Sequence, residues 1–209
     1  MDLATLGGGL LEEAPPACPA RARLGFQSFL LALQDAMTAC ERCRCPVLAA
    51  IHGACVGAGV DLATACDIRF ASACASLCVK EVDLGITADM GTLARLPGIV
   101  GDGVARELAL TARAVPAAEA LQLRLVSAVF ADREALLEGA AAAARAIAAK
   151  SPLAVAGTKA VLLRQRGRSV EEGLEHVRLW NAAALPGSSD LREAFAARAE
   201  RRPPRFSKL

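Results

Sequence analysis

Three carboxylates stand among small and apolar neighbours in this 209-residue chain: Asp61, Glu81 and Asp89. Most Asp and Glu side chains are solvated, but burial among apolar groups raises a carboxyl's proton affinity toward the range useful in acid–base chemistry. The first lies in GACVGAGVDLATACD (53–67), just after Gly53, Gly57 and Gly59. Small residues after a buried strand let backbone approach backbone or ligand, and a helix starting there turns free N–H groups and a positive dipole end toward the cleft. Such a place stabilises an anion. The spacing is not a dinucleotide fingerprint, which needs a third glycine, nor a Walker A loop, because no Gly-Lys-Ser/Thr follows. Tight packing of a helix on a sheet would ask for the same glycines. Glu81 and Asp89 stand eight residues apart in VKEVDLGITADMGTLARLP, at what reads as the end of a strand and the loop after it.

The elements that must hold these groups follow from periodicity. LGFQSFLLALQDAMTACERC spaces Phe26, Phe29, Leu30, Leu33, Met37 and Cys40 as one apolar helical stripe. PVLAAIHGA is a short apolar run after a proline, as in a strand buried on both faces. VDLATAC reads as a short helix, DIRFAS and SLCVKE as strands, and helical patterns dominate from residue 101 onward, interrupted by LVSAVFAD. Strands alternating with helices, followed by a helical C-terminal half, indicate an α/β layered fold. Residues 1–23 combine Gly and Pro clusters without a period and read as a loop or disordered lead-in.

Composition excludes several classes. A net charge of +2 with interleaved signs and 3% aromatics offers no nucleic-acid face. No run reaches the roughly 20 apolar residues of a membrane span. Of eight cysteines, Cys55, Cys66, Cys74 and Cys78 fall in apolar segments, where thiols behave as small hydrophobes. Cys40, Cys43 and Cys45 of CERCRC, with His52 beyond, could be drawn as zinc ligands, but a structural site usually shows a second spaced pair and none follows. No metal is expected.

PVLAAIHGACVGAGVDLATACDIRFAS, VKEVDLGITADMGTLARLPGIVG, TARAVPAAEALQLRLVSAVF and AAKSPLAVAGTK together resemble the crotonase (enoyl-CoA hydratase/isomerase) superfamily, nearly continuously from about residue 40 to 209. Within it the chain is most similar to the Δ3,5-Δ2,4-dienoyl-CoA isomerase branch: GVDL stands where hydratases carry Glu, an Asp follows the second carboxylate by eight residues where hydratases usually have Gly, and the chain ends FSKL. The resemblance implies a ββα spiral core with a helical C-terminal trimerisation region. Residues 24–130 would form a partial α/β core, with the N-terminal strands missing, and 131–209 the helical region with its targeting tail.

The resemblance also implies roles. An enolate-like oxygen would be held by two backbone N–H groups, one of them that of Ala58, which should begin or immediately precede a helix. Isomerases of this branch carry Gly there. Glu81 matches the carboxylate that exchanges the C2 proton, Asp89 the one near C6, and Asp61 a buried acid supporting both. The substrate would be a fatty acyl-CoA, with CoA part of the substrate and no separate cofactor. Isomerisation of 3,5-dienoyl-CoA to 2,4-dienoyl-CoA in β-oxidation is the leading reading. Hydration of 2-enoyl-CoA, or an inactive subunit assembling with full-length relatives, are the alternatives. Met1-Asp2-Leu3 looks like the tail of the family's Gly-X-Asp-Leu, so the chain reads as N-terminally truncated, without the loop that supplies the other oxyanion donor. A homo-oligomer, trimer or hexamer, is implied. Ser207, Lys208 and Leu209 match the tripeptide read by the peroxisomal import receptor; a mitochondrial presequence would belong to a longer form. Trp180 reads as core, and neither it nor Lys159 is assigned to CoA.

Overall fold

The computed structural model describes residues 18–209. Helix α1 (Pro19–Arg42) starts with proline in its first turn, where a missing N–H costs nothing. Most of the expected 1–23 loop therefore lies outside the described residues, while its last five residues are helical. The stripe on α1 divides. Leu30, Leu33, Met37 and Cys40 are half-buried, whereas Phe26 and Phe29 are exposed and stack on each other with centroids 6.3 Å apart.

Two small sheets follow. The first is parallel, in the order β1 (Leu48–Ile51), β3 (Ile68–Ser72), β6 (Ala128–Phe130). The second pairs β2 (Ala54–Val56) in parallel with β4 (Ser76–Cys78), and β4 antiparallel with the two-residue β5 (Val115–Pro116). Parallel neighbours require crossovers, and helix α2 (Ala58–Ala65) provides the first, between β2 and β3. The strand expected to be buried on both faces is not: only Ile51 of β1 is buried and Ala50 is exposed. β1 is the edge strand of its sheet among the described residues, so only β3 covers its flank.

Beyond β4 the chain turns through a 3-10 helix (Glu81–Leu84), then α3 (Thr92–Val100), α4 (Asp102–Thr111) and α5 (Ala117–Gln122). Val60, Leu77, Val79, Leu96, Leu108 and Val126 meet in the core between these helices and the second sheet. Helices α6 (Arg133–Ala148), α7 (Pro152–Arg164), α8 (Val170–Ala184) and α9 (Ser189–Ala199) complete the fold. Their starts are written in the sequence: Asp132, Ser151, Ser169 and Ser188 each accept a backbone N–H from the first turn, Ser169 within a full capping box with Glu172. α6 packs on the first sheet, and α8 lays Trp180 over Gly157 of α7, where any Cβ would overlap the indole. No single described helix is long and apolar enough to cross a membrane.

Candidate active site

The site forms where two helix N-termini converge. Gly57 sits in left-handed backbone (φ 53°), donates its N–H to the Cys78 carbonyl at 3.0 Å, and lets α2 begin at Ala58. Val60 and Asp61 N–H bond back to the Gly57 carbonyl at 2.7 and 3.2 Å. Those of Ala58 and Gly59, at the first two helical positions, have no intrahelical partner. Cys55 lies beneath Gly59, where a Cβ would stand in van der Waals contact 3.4 Å from the sulfur. Burial pushes the Cys55 thiol up to about 11, so it packs as a hydrophobe.

Glu81 lies against this turn. A Cβ at Gly57 would be 3.1 Å from Glu81 Oε1, so the glycine leaves room for both the left-handed turn and the carboxylate. Glu81 is the first residue of the 3-10 helix, three positions beyond β4, rather than the end of the strand as the sequence suggested. The helical turn folds its carboxylate back toward α2. The side chain is 7% exposed and Oε2 has no hydrogen-bond partner among the described residues. Burial pushes the carboxyl above the usual carboxylate range, and the charges of Asp61 and Asp89 add to the shift, against nearby backbone hydrogen bonds.

Asp61, 1% exposed, uses one oxygen and keeps the other. Oδ1 accepts the Thr92 N–H at 2.7 Å, which caps the N-terminus of α3, while Oδ2 has no partner among the described residues. It thus joins the start of α3 to α2. Asp89 lies half-buried in the loop before α3, its carbonyl accepting a hydrogen bond from Gln34 Nε2 at 2.7 Å. Beside Glu81 opens a cavity of about 410 Å³, lined chiefly by apolar side chains that include Val79, Leu93, Leu96, Ala105 and Leu110. The arrangement supplies a proton acceptor of raised affinity, a second carboxyl held on a separate loop, unpaired N–H groups at a helix start, and an apolar slot.

Residues 22–208 match the enoyl-CoA hydratase/isomerase family along nearly the whole described length. The chain belongs to the enoyl-CoA hydratase/isomerase family. It is 58% identical over 177 residues to the peroxisomal Δ3,5-Δ2,4-dienoyl-CoA isomerase of Arabidopsis thaliana, covering 85% of this chain and 63% of that protein. To the mitochondrial Δ3,5-Δ2,4-dienoyl-CoA isomerase of Homo sapiens it is 48% identical over 180 residues, covering 84% and 55%. The chain therefore spans less than two thirds of these curated relatives. An enoyl-CoA hydratase from Bacillus anthracis superposes with a TM-score of 0.82 at 31% identity, over 87% of this chain and 70% of that one. The α/β crotonase-like fold is thus shared with solved members of the family.

Several residues of this family member escaped the sequence reading. Lys159, 7% exposed, donates to Asp67 Oδ2 at 2.6 Å and to the carbonyls of Cys40 and Cys45 at 2.9 and 3.1 Å. Asp67 in turn accepts the Val47 N–H at 2.7 Å. Its partners lie far off in sequence, so no local pattern reveals the pair. Trp180 is half-buried against α7. His52 turns from CERCRC toward Ser72 Oγ (3.0 Å) and Cys74 Sγ (3.4 Å). Cys74, expected among apolar neighbours, is exposed. It belongs to the tight turn between β3 and β4, which presents it to solvent.

Proposed function

We propose that this chain carries the proton-transfer machinery of a dienoyl-CoA isomerase, converting a 3,5-dienoyl-CoA thioester to its 2,4 isomer. The observation that carries the reading is the pairing of Glu81, buried with a free oxygen, with Asp89 on a separate loop bordering the same cluster. Ionised Glu81 removes a proton from C2, and the electron pair moves into a conjugated enolate spread over the thioester oxygen and the alternate carbons out to C6. Asp89 in its acid form returns a proton at C6, so the double bonds shift from 3,5 to 2,4 with no net redox change. Exchange with solvent then resets both carboxyls. Neither metal nor cofactor is required, because each proton moves between carbon and a side-chain carboxyl.

The enolate oxygen is assigned to the Ala58 N–H at the start of α2, where the dipole favours negative charge. Asp61 acts indirectly, by capping α3 and by its charge on Glu81. The apolar cavity beside Glu81 is the natural seat for the acyl chain. The names of the relatives agree with this reading, as does Asp89, a third carboxyl beyond Asp61 and Glu81. The same reading makes the exposed Val170, Leu174, Leu179 and Phe195 of α8 and α9 the contact face of a homo-oligomer, and the exposed Ser207-Lys208-Leu209 an address for the peroxisomal import receptor.

The test is a substrate comparison. The purified chain should turn over a 3,5-dienoyl-CoA, read as the rise in conjugated-thioester absorbance, far faster than it hydrates a 2-enoyl-CoA. Faster hydration, or turnover of neither, would remove the isomerase reading.

A further inference from the structure

The loop that carries Asp89 is strapped from outside. On one side the Gln34 amide, reaching across from α1, donates to the Asp89 carbonyl at 2.7 Å. On the other, Arg95 folds back from the second turn of α3 and donates through Nη1 to the Met90 carbonyl at 3.3 Å. Its Nη2 reaches α1, bonding Thr38 Oγ1 at 2.9 Å and Glu41 Oε2 at 3.2 Å. The guanidinium is 9% exposed on its side chain, and Glu41 opposite it 14%. Gly91 makes the crossing possible. It sits at φ 124°, and a Cβ built on it would stand 1.8 Å from Arg95 Nη1, so the arginine occupies the space a side chain would take. Asp61 then fixes the next residue by accepting the Thr92 N–H. Four consecutive residues, Asp89 to Thr92, are thus held by side chains of α1, α2 and α3, or shaped around them.

We propose that Gln34 and Arg95 are positioning residues that set where the Asp89 carboxyl stands relative to the distal end of the substrate. This rests on the assignment of Asp89 to the C6 proton. The physical ground is that proton transfer to carbon tolerates little displacement: a misplacement of about 1 Å can cost on the order of 100-fold in rate. A loop fastened only by its own backbone has no such precision, whereas one clamped by an amide and a bridging guanidinium does. Glu81 stands outside the strap, since its position depends on the 3-10 helix and Gly57. Both ends share α2 through Gly57 and Asp61, but Gln34 and Arg95 touch only the Asp89 end and act independently of Glu81.

That independence gives a readout a general structural defect would not mimic. In deuterium oxide, Glu81 alone suffices to exchange the C2 proton, while product requires Asp89 as well. Gln34→Ala, an exposed change with little risk to folding, should lower isomerisation about tenfold and leave C2 deuterium incorporation within about twofold. Arg95→Lys, which keeps the charge on Glu41 but loses the fork, should shift the same ratio in the same direction. Proportional loss of both rates, or no change in their ratio in either variant, would overturn the proposal. Asp89→Asn run in parallel separates the premises: if it isomerises normally, the assignment of Asp89 falls and the strap's role with it. If it is inactive while Gln34→Ala and Arg95→Lys match the parent, only the strap is refuted.

Discussion

Lys159 and Glu81 are equally withdrawn from solvent, each 7% exposed, yet the first is saturated and the second is not. The ammonium of Lys159 spends its donors on Asp67 and two carbonyls, and the shared oxygen of Asp67 also takes the Val47 N–H. At the other cluster Glu81 Oε2, Asp61 Oδ2 and Thr92 Oγ1 are buried without partners among the described residues. An unmade hydrogen bond in the interior costs free energy, so a fold that satisfies one buried charge cluster and leaves another open has kept the open one for something else. The saturated cluster ties α7 to the end of α1 and to the starts of β1 and β3; the open one borders the candidate substrate cavity through Glu81.

Breaking the saturated cluster should have the larger effect on stability. Lys159→Met leaves the half-buried Asp67 without its counter-charge and should cost about 3 kcal/mol of unfolding free energy, the low end for a broken buried pair. Urea denaturation measures it, and isomerase turnover per folded molecule should stay near the parent's. A loss below about 1 kcal/mol would mean that the pair behaves as an ordinary surface ion pair and that the contrast is false.

The open cluster should respond with the opposite sign. Burial raises the Glu81 carboxyl in the folded state above its unfolded value. Between the two values the folded state holds a proton that the unfolded state has released, so this group's contribution to stability falls as pH rises through that window. Glu81→Gln removes the loss. The variant should therefore be more stable than the parent at neutral pH, with the advantage shrinking in acid, while C2 exchange disappears. Denaturation midpoints at the two pH values read it, and a destabilised variant at neutral pH would show that Glu81 is held by contacts rather than strained by burial.

The same contrast explains what could be read from the sequence. Gly57, Asp61 and Glu81 are local signals, because a tight turn, a helix start and a carboxylate among apolar residues leave their marks within a few positions. The left-handed Gly57 and the helix start at Ala58 are of this kind. The straps and the saturated pair are not. Gln34 meets Asp89 55 positions away, Arg95 meets Glu41 54 away, and Lys159 meets Asp67 92 away. Arg95 and Lys159 read as ordinary basic residues on helices until the fold brings α1, α3 and α7 together. The cavity beside Glu81 was hidden for a related reason: Leu93, Leu96 and Leu110 look like core positions on two separate helices, and only the packing of α3 on α4 leaves a slot between them.

The division of labour between the two carboxyls is the central claim, and Asp89→Asn tests it most directly. Incubated with a 3,5-dienoyl-CoA in deuterium oxide, the variant should incorporate deuterium at C2 at close to the parent rate while forming the 2,4 isomer about 100- to 10,000-fold more slowly, the usual range for losing a proton-transfer group. Undiminished isomerisation, or loss of C2 exchange in step with it, would contradict the account.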